Sequence, residues 1–434
     1  MQDRLKHHDE VDSPAIVGIL VKRFPKLSET FILGELLGLE QEGFRLRIYS
    51  LYSPSDTTTH PQCSQLSAPV IYCPMPEQGS IVKAVKLQLK TFLRNPLRYM
   101  QLVFKVVTGT IKSDRCFSRS AWLAEDMRKN DVSHLHTHFI NEPASIALSS
   151  HLLSGLPFSL SAHAKDIYLS PENDLTHKLN AANFTLTCTE YNRNFLQALV
   201  PDNPTIYRMY HGIDFDRIQN ELHEQQVPKE KTSPLILSIG RLREKKGFHL
   251  LIQACQRLKQ SGVDFRCEIV GYGPDQQKLE QQIAEAELQH DVHLSGKLNH
   301  PQVLSLFRQA SMFVLPCIIG TDGDRDGIPN VILEALAMKV PVLTTPISGI
   351  PEIIKQRHTG LLVEAGNVLK LAASIEELIH NKTLCTHITN NGYQMVRKQF
   401  SNDSNLKLLK KLLGQSLLGS NMFDFTSKTE LGQS

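Results

Sequence analysis

The stretch LILSIGRLREKKG, residues 235–247, decides the fold. Its first five residues read as a buried parallel strand that ends at Gly240, and the loop beyond carries Arg241, Lys245 and Lys246. Open parallel sheets bind ligands outside the C-terminal ends of their strands. Cations gathered there suit a diphosphate, because a charge-assisted hydrogen bond contributes about 1.5–3 kcal/mol. A solvated basic turn is the other reading of these residues taken alone.

On both sides of this stretch, β-branched apolar runs alternate with helical-period segments, the pattern of parallel sheets joined by crossover helices. Strands are predicted at 15–21, 44–50, 132–138, 158–162, 183–188 and 205–209, and again at 235–239, 265–270, 291–295, 312–315, 340–344 and 360–363. The fold class expected is α/β, with two Rossmann-like doubly wound domains. A chain of 434 residues exceeds the roughly 250–300 at which one core stops growing. Residues 1–222 are expected to form the first domain and 235–400 the second. The polar segment 219–234 holds the linker, placed at 223–234, followed after the second domain by a helix at 401–415 and a flexible tail at 416–434.

With 47 basic and 44 acidic residues, the net charge of +3 is too mild to make nucleic acid the main partner. No stretch reaches the roughly 18 apolar residues of a spanning helix, and the opening MQDRLKHHDEVDSP has no signal core. The eight cysteines form no Cys-x-x-Cys pair and read as reduced thiols, so a cytoplasmic location is expected. Residues 80–130 interrupt the alternation. From Lys83 to Arg119, the nine basic residues Lys83, Lys86, Lys90, Arg94, Arg98, Lys105, Lys112, Arg115 and Arg119 stand against a single acid, Asp114, among interleaved apolar residues. Such helices suit an anionic membrane surface, on the inner face of the cytoplasmic membrane, and equally suit a hairpin packed on its own domain with solvated lysines.

Further motifs carry chemistry. IVGYGP places Gly271 and Gly273 at a strand-to-helix turn, without the third glycine of a dinucleotide fingerprint. In GTDGDRDGIPNVILEALAM, residues 320–338, a loop enters a helix near Pro329, and a helix start offers free amides and a positive dipole end to phosphates. Asp326 precedes that helix and Glu334 lies about one turn inside it. Asp322, Asp324, Asp326 and Gly327 mimic the start of a calcium loop, but the twelfth position is Leu333 and the eighth Pro329, which defeats it. His134, His136 and His138 share one face of a strand, which suggests zinc, yet nothing else nearby supplies the ordered third and fourth ligands. His163 and Asp166 follow the strand at 158–162. A histidine there lines a ligand cleft or serves as a structural hydrogen-bonder.

Together GRLREKKG, VGYGP, the acidic-x7-Glu element of DGIPNVILEAL, AHAKDIY and the turn HGID (His211–Asp214) resemble the retaining family 4 glycosyltransferases. SETFILGELLGLE, HLHTHF and the basic helices further resemble the branch that assembles exopolysaccharides such as colanic acid and amylovoran. The resemblance covers nearly all of 14–415. It implies two Rossmann-like domains facing each other across a cleft, and transfer of a sugar from a nucleoside-diphosphate sugar to a glycan or lipid-linked glycan. No cofactor and no metal are expected. By the same resemblance Arg241 and Lys246 hold the donor diphosphate, amides near Asn330 and Val331 meet its phosphates, and Glu334 binds the ribose. Asp326 contacts the sugar hydroxyls and His163 sits beside the reacting face. Gly240, Gly273 and Leu298 lie where loops approach the nucleotide. Gly18, at the end of the first strand, and Phe24–Thr30 shape the acceptor side, with Gly18 counted among the donor-binding residues.

The family usually has Glu where this chain has Asp326. The carboxylate is thereby shortened by about 1.5 Å, and a misplacement of that order costs about a hundredfold in rate. The implied mechanism is a front-face displacement in which a donor phosphate oxygen takes the acceptor proton, so that positioning and charge neutralisation dominate. Two alternatives stand beside it: a non-catalytic nucleotide-sugar-binding subunit, and a soluble transferase acting on a small sugar.

Overall fold

A computed structural model of the chain describes residues 15–26, 29–54, 60–74, 81–109, 116–213, 215, 218, 233–400 and 402–418. Residues 223–232 of the expected linker, 419–434 of the expected tail, and Lys112, Asp114, Arg115 and Asp214 lie outside the described residues.

Two sheets carry the fold. The first holds β1 (Ile16–Arg23), β2 (Arg45–Tyr52), β3 (Val70–Tyr72), β4 (Val132–His138), β5 (Phe158–Ala162), β6 (Thr185–Thr187) and β7 (Ile206–Arg208), in the order β3-β2-β1-β4-β5-β6-β7. The second holds β8 (Leu235–Ile239), β9 (Arg266–Val270), β10 (Val292–Gly296), β11 (Met312–Leu315), β12 (Val342–Thr344) and β13 (Leu361–Leu362), in the order β10-β9-β8-β11-β12-β13. Pairing is parallel, for example Leu237 with Glu268 and Phe313 with Leu237. All five residues of β5 and of β8 are buried, as expected of strands covered on both faces. β3 is an addition to the predicted set: three residues at a sheet edge are too short to show a period.

Around the first sheet run α1 (Thr30–Gln41), α2 (Ile81–Arg94), α3 (Pro96–Val107), α4 (Cys116–Lys129), α5 (Glu142–Ser154), α6 (Ala164–Tyr168), α7 (Glu172–Ala181) and α8 (Glu190–Leu199). The strand order reverses between β1 and β4 and again between β8 and β11. These are topological switch points, beyond whose strand ends α/β sheets take ligands. At the second, the loop after β8 brings the lysines and the loop after β11 brings Asp324 and Asp326.

The chain separates into two compact units, residues 1–138, 142–160 and 410–434 in one and 139–141 and 161–409 in the other. β6, β7 and the whole second sheet thus share a unit. The described residues of the basic region at 80–130 fold as three helices, and one of its charges is no surface charge: Arg119 is 1% exposed, bound to Glu142 at 3.2 Å and stacked over Tyr52. Among the described residues seven cysteines are free thiols, five of them buried. Among the described residues no helix is long and apolar enough to cross a membrane.

Candidate functional site

The loop after β8 turns through Glu244–Lys246 and ends at Gly247, whose φ of +68° is left-handed. A Cβ there would stand 1.9 Å from the Pro316 carbonyl oxygen, so only glycine fits. That close approach presses the loop after β8 onto the loop after β11. Lys246 Nζ reaches Asp326 Oδ2 at 2.7 Å, while Lys245 Nζ reaches Asp326 Oδ1 at 3.2 Å and Asp324 Oδ1 at 2.9 Å. All four side chains are at least 85% buried. Burial alone would raise the Asp326 carboxyl, but Lys246 and Lys245 hold it below its ordinary range. Burial likewise opposes the Lys246 charge, and Asp326 outweighs it and raises that group. Burial also pushes the Cys317 thiol, 3.8 Å from Asp326, up to about 12. With Asp324 and Asp326 held by lysines, and Asp322 accepting from the Asp324 amide, the calcium-loop pattern serves an internal network.

Lys246 lays its stem over Gly240, its Cε 3.2 Å from where a Cβ would stand. Gly273 is equally constrained, because a Cβ on it would meet Leu242 O at 2.2 Å. The Leu242 amide donates to Tyr272 O, so the glycines of VGYGP dock one loop on the other. Arg241 is exposed and takes no part in the lysine–aspartate network among the described residues. Asn330 and Val331 open helix Asn330–Ala337 behind Pro329, with Glu334 fifth along it, all three partly buried. Leu298 is half-buried against the core of the second sheet.

His163 stands at the exit of β5, immediately before α6. Its backbone amide donates to Asp166 Oδ1, and Asp166 Oδ2 accepts from the Ile140 amide at 2.6 Å. Burial pushes the Asp166 carboxyl up to about 7. One carboxyl thus ties the exit of β4 to the start of α6. Lys178 secures the same exit by donating to the Ile140 and Asn141 carbonyls. The His163 ring packs on Phe139, and its Nδ1 lies 3.1 Å from His211 Nε2. The Asp326 loop arrives beside it, since a Cβ on Gly327 would touch Thr189, Cys188 and, at 3.7 Å, Ala164. Arg325 lies over the Tyr168 ring, and Glu352 accepts from the Glu190 and Tyr191 amides at the start of α8. Sequence reading counted Lys245 only among the cations of its loop, and assigned no role to His211 or Glu352. For His211 the signal was present in the quoted HGID turn, whereas Glu352 meets α8 across 162 residues with no local pattern.

Gly18 requires a correction. β1 runs five residues beyond it to Arg23, and Gly18 lies buried mid-strand opposite Arg47 and Leu135. Leu135, Val132 and Tyr49 fill the space a side chain would need, so this glycine serves sheet packing and not a loop at a strand end. The three histidines of β4 are fully buried. His134 Nε2 and His136 Nδ1 share the Ser159 hydroxyl at 2.7 and 2.8 Å, while Glu35 Oε1 lies 3.1 Å from His138 Nε2 and 3.8 Å from His136 Nε2. Burial lowers His134 to about 3 and, together with its neighbours, His136 well below the ordinary range. Glu35, His136 and His138 form one of two groups among the described residues compact enough for a metal ion; the other is His163, Cys188 and His211. Phe24, Lys26, Glu29, Thr30, His60 and Cys63 line a small hollow at the exit of β1.

Residues 219–395 match the family "Glycosyl transferases group 1". The chain therefore carries a group 1 glycosyltransferase domain. Over 418 residues, 92% of this chain and 99% of the other, the glycosyltransferase is 28% identical to WcaL of Salmonella typhimurium, named for colanic acid biosynthesis. Across 143 residues, 33% of this chain and 35% of the relative, it is 39% identical to AmsK of Erwinia amylovora, named for amylovoran biosynthesis. Its fold is shared with HepE of Anabaena, solved in complex with UDP-glucose: TM-score 0.68 at 14% identity, covering 92% of this chain and 99% of that one. The two-Rossmann-domain architecture expected from the alternating strands is therefore that of a glycosyltransferase.

Proposed function

We propose that this glycosyltransferase moves a sugar, with retention of anomeric configuration and without a metal, from a nucleoside-diphosphate sugar to a glycan or lipid-linked glycan of a cell-surface polysaccharide. The similarity to WcaL and AmsK supports the polysaccharide, and the likeness to HepE supports a UDP-sugar as the first donor to try. The observation that carries the reading is the Lys245–Lys246–Asp326 network together with the Gly327 turn next to Asp326, where an added Cβ would lie 3.7 Å from Ala164, the residue after His163.

In this reading Lys246, with Arg241, neutralises the charge that grows on the departing diphosphate, and the first amides of helix Asn330–Ala337 meet its phosphates. Glu334 takes the ribose hydroxyls, and Gly240, Gly273 and Leu298 border the nucleotide. Asp326 takes the sugar hydroxyls, and His163, held through His211 and Asp166, faces the reacting carbon. A donor phosphate oxygen accepts the proton of the incoming hydroxyl, so no protein nucleophile is required. The hollow around Phe24–Thr30 receives the acceptor. The proposed location is cytoplasmic, with an anionic membrane surface as second partner, and nucleic acid plays no part.

The test is a thermal-shift screen of UDP-, GDP- and ADP-sugars followed by turnover with the best. A donor held at a hundred times its dissociation constant stabilises by about 2.7 kcal/mol. Stabilisation by none of them, or stabilisation without nucleotide release whatever acceptor is offered, would reject the catalytic reading.

A further inference from the structure

Two helices of the first unit present apolar side chains to water on the side away from their own core. On α2 these are Val82, Val85, Leu89 and Leu93; on α3 they are Leu97, Met100, Phe104 and Val107. Their exposure runs from 55% at Leu89 and Met100 to 86% at Leu97. At 100° per residue each set of four falls within an arc of about 80°. Packing does not call for these stripes, because it already uses other side chains. Leu102 is fully buried, and Tyr99 stacks edge-on against both Phe92 and Phe117 at 5.5 Å. Contiguous exposed apolar surface of this kind marks an interaction site.

Charge identifies the occupant. Residues 81–107 contain six basic side chains and no acidic one. Lys83, Lys86, Lys90 and Arg94 lie along one border of the α2 stripe, and Arg98 and Lys105 occupy the same place on α3. Lys90 and Arg94 also reach Glu125 on α4, at 2.7 and 2.9 Å, which fixes α2 to its domain. A second copy of the chain laid on this face would bring like charges together, whereas anionic lipid headgroups complement them.

We propose that α2 and α3 lie in the plane of an anionic membrane, their eight apolar side chains entering the boundary between headgroups and acyl chains and the basic border meeting the phosphates. The inference develops the membrane partner named above and is independent of sugar transfer.

Flotation of the full chain tests it, using phosphatidylcholine vesicles with and without phosphatidylglycerol. The protein should float with the anionic vesicles and at least about tenfold less without phosphatidylglycerol. Leu93→Glu with Phe104→Glu, both at exposed positions, should lower the partition constant at least about tenfold with an unchanged melting temperature. As a second reading, Leu97→Trp should shift its emission to the blue on anionic vesicles, against the single native Trp122. Failure of the full chain to float, flotation of the double variant like the parent, or self-association through this face without lipid would each overturn the proposal. Nucleotide release with a soluble acceptor, measured in the double variant, separates this failure from failure of the catalytic reading.

Discussion

Replacing Lys246 with alanine removes the ammonium 2.7 Å from Asp326 Oδ2 and leaves Lys245 at 3.2 Å from Oδ1. Stranding a buried charge typically costs about 3–5 kcal/mol. Asp326 keeps one cation here, so the loss of stability should be smaller, about 1–2 kcal/mol. The effect on rate should be larger. One preorganised donor aimed at developing negative charge contributes about 3–4 kcal/mol to the barrier, so kcat at saturating donor should fall about 10²–10³-fold. The assay is nucleoside-diphosphate release with the donor found by thermal shift, run beside a melting curve. Near-normal kcat in Lys246→Ala would refute the assignment. A double-mutant cycle with Asp326→Asn separates two roles. If Lys246 only holds Asp326 in place, removing it in the Asp326→Asn background should cost little further rate, whereas a role on the diphosphate keeps the cost.

Asp326→Glu extends the carboxylate by about 1.5 Å toward the family's usual residue, and turnover should be kept or raised. Loss of donor binding, read by thermal shift, would show the loop is built around the shorter acid. Asp166, with its folded pKa raised to about 7, holds its proton in the native state while the unfolded chain releases it. Its contribution is complete below the unfolded pKa, near 3.8, and is lost as pH rises through about 7. Asp166→Asn should flatten that part of the stability profile by denaturant unfolding, and an unchanged slope between those values would contradict it. Incubation with EDTA should change neither melting temperature nor turnover. A drop reversed by zinc would place an ion on one of the two compact groups, Glu35, His136 and His138 or His163, Cys188 and His211.

What the sequence made legible, and what it concealed, follows from the range of the interactions. β4, β5, β8 and β11 fall on their predicted residues because each is a run of buried side chains bounded by turn formers. β3 was concealed by its length. Arg119 belongs by composition to a basic amphipathic region, and only the packing of α4 shows it turned toward Glu142 and Tyr52. Gly18 shows the same limit, since nothing local distinguishes a glycine that yields space to Leu135 from one that turns a loop. At the site, residue types were readable but pairings were not. Lys245 and Asp324 are 79 positions apart, and Glu352 and Glu190 are 162 apart, so their encounters depend on strand order.

That strand order also explains why lysines and aspartates end up neutralising one another. β8 and β11 are neighbours at the switch point, so whatever follows one must meet whatever follows the other. A cationic loop there without acids would leave two buried ammonium groups unpaired, a cost of several kcal/mol that the fold avoids through Asp324 and Asp326. On the proposed reading, an arriving diphosphate competes with Asp326 for Lys246, and because Lys245 also contacts Asp326 the carboxylate is not stranded by the exchange. Capture of the diphosphate and release of the Asp326 oxygen nearest Lys246 toward the sugar are then one event. A single lysine opposite a single aspartate would lack that coupling, since moving the lysine to phosphate would leave the acid buried without a cation.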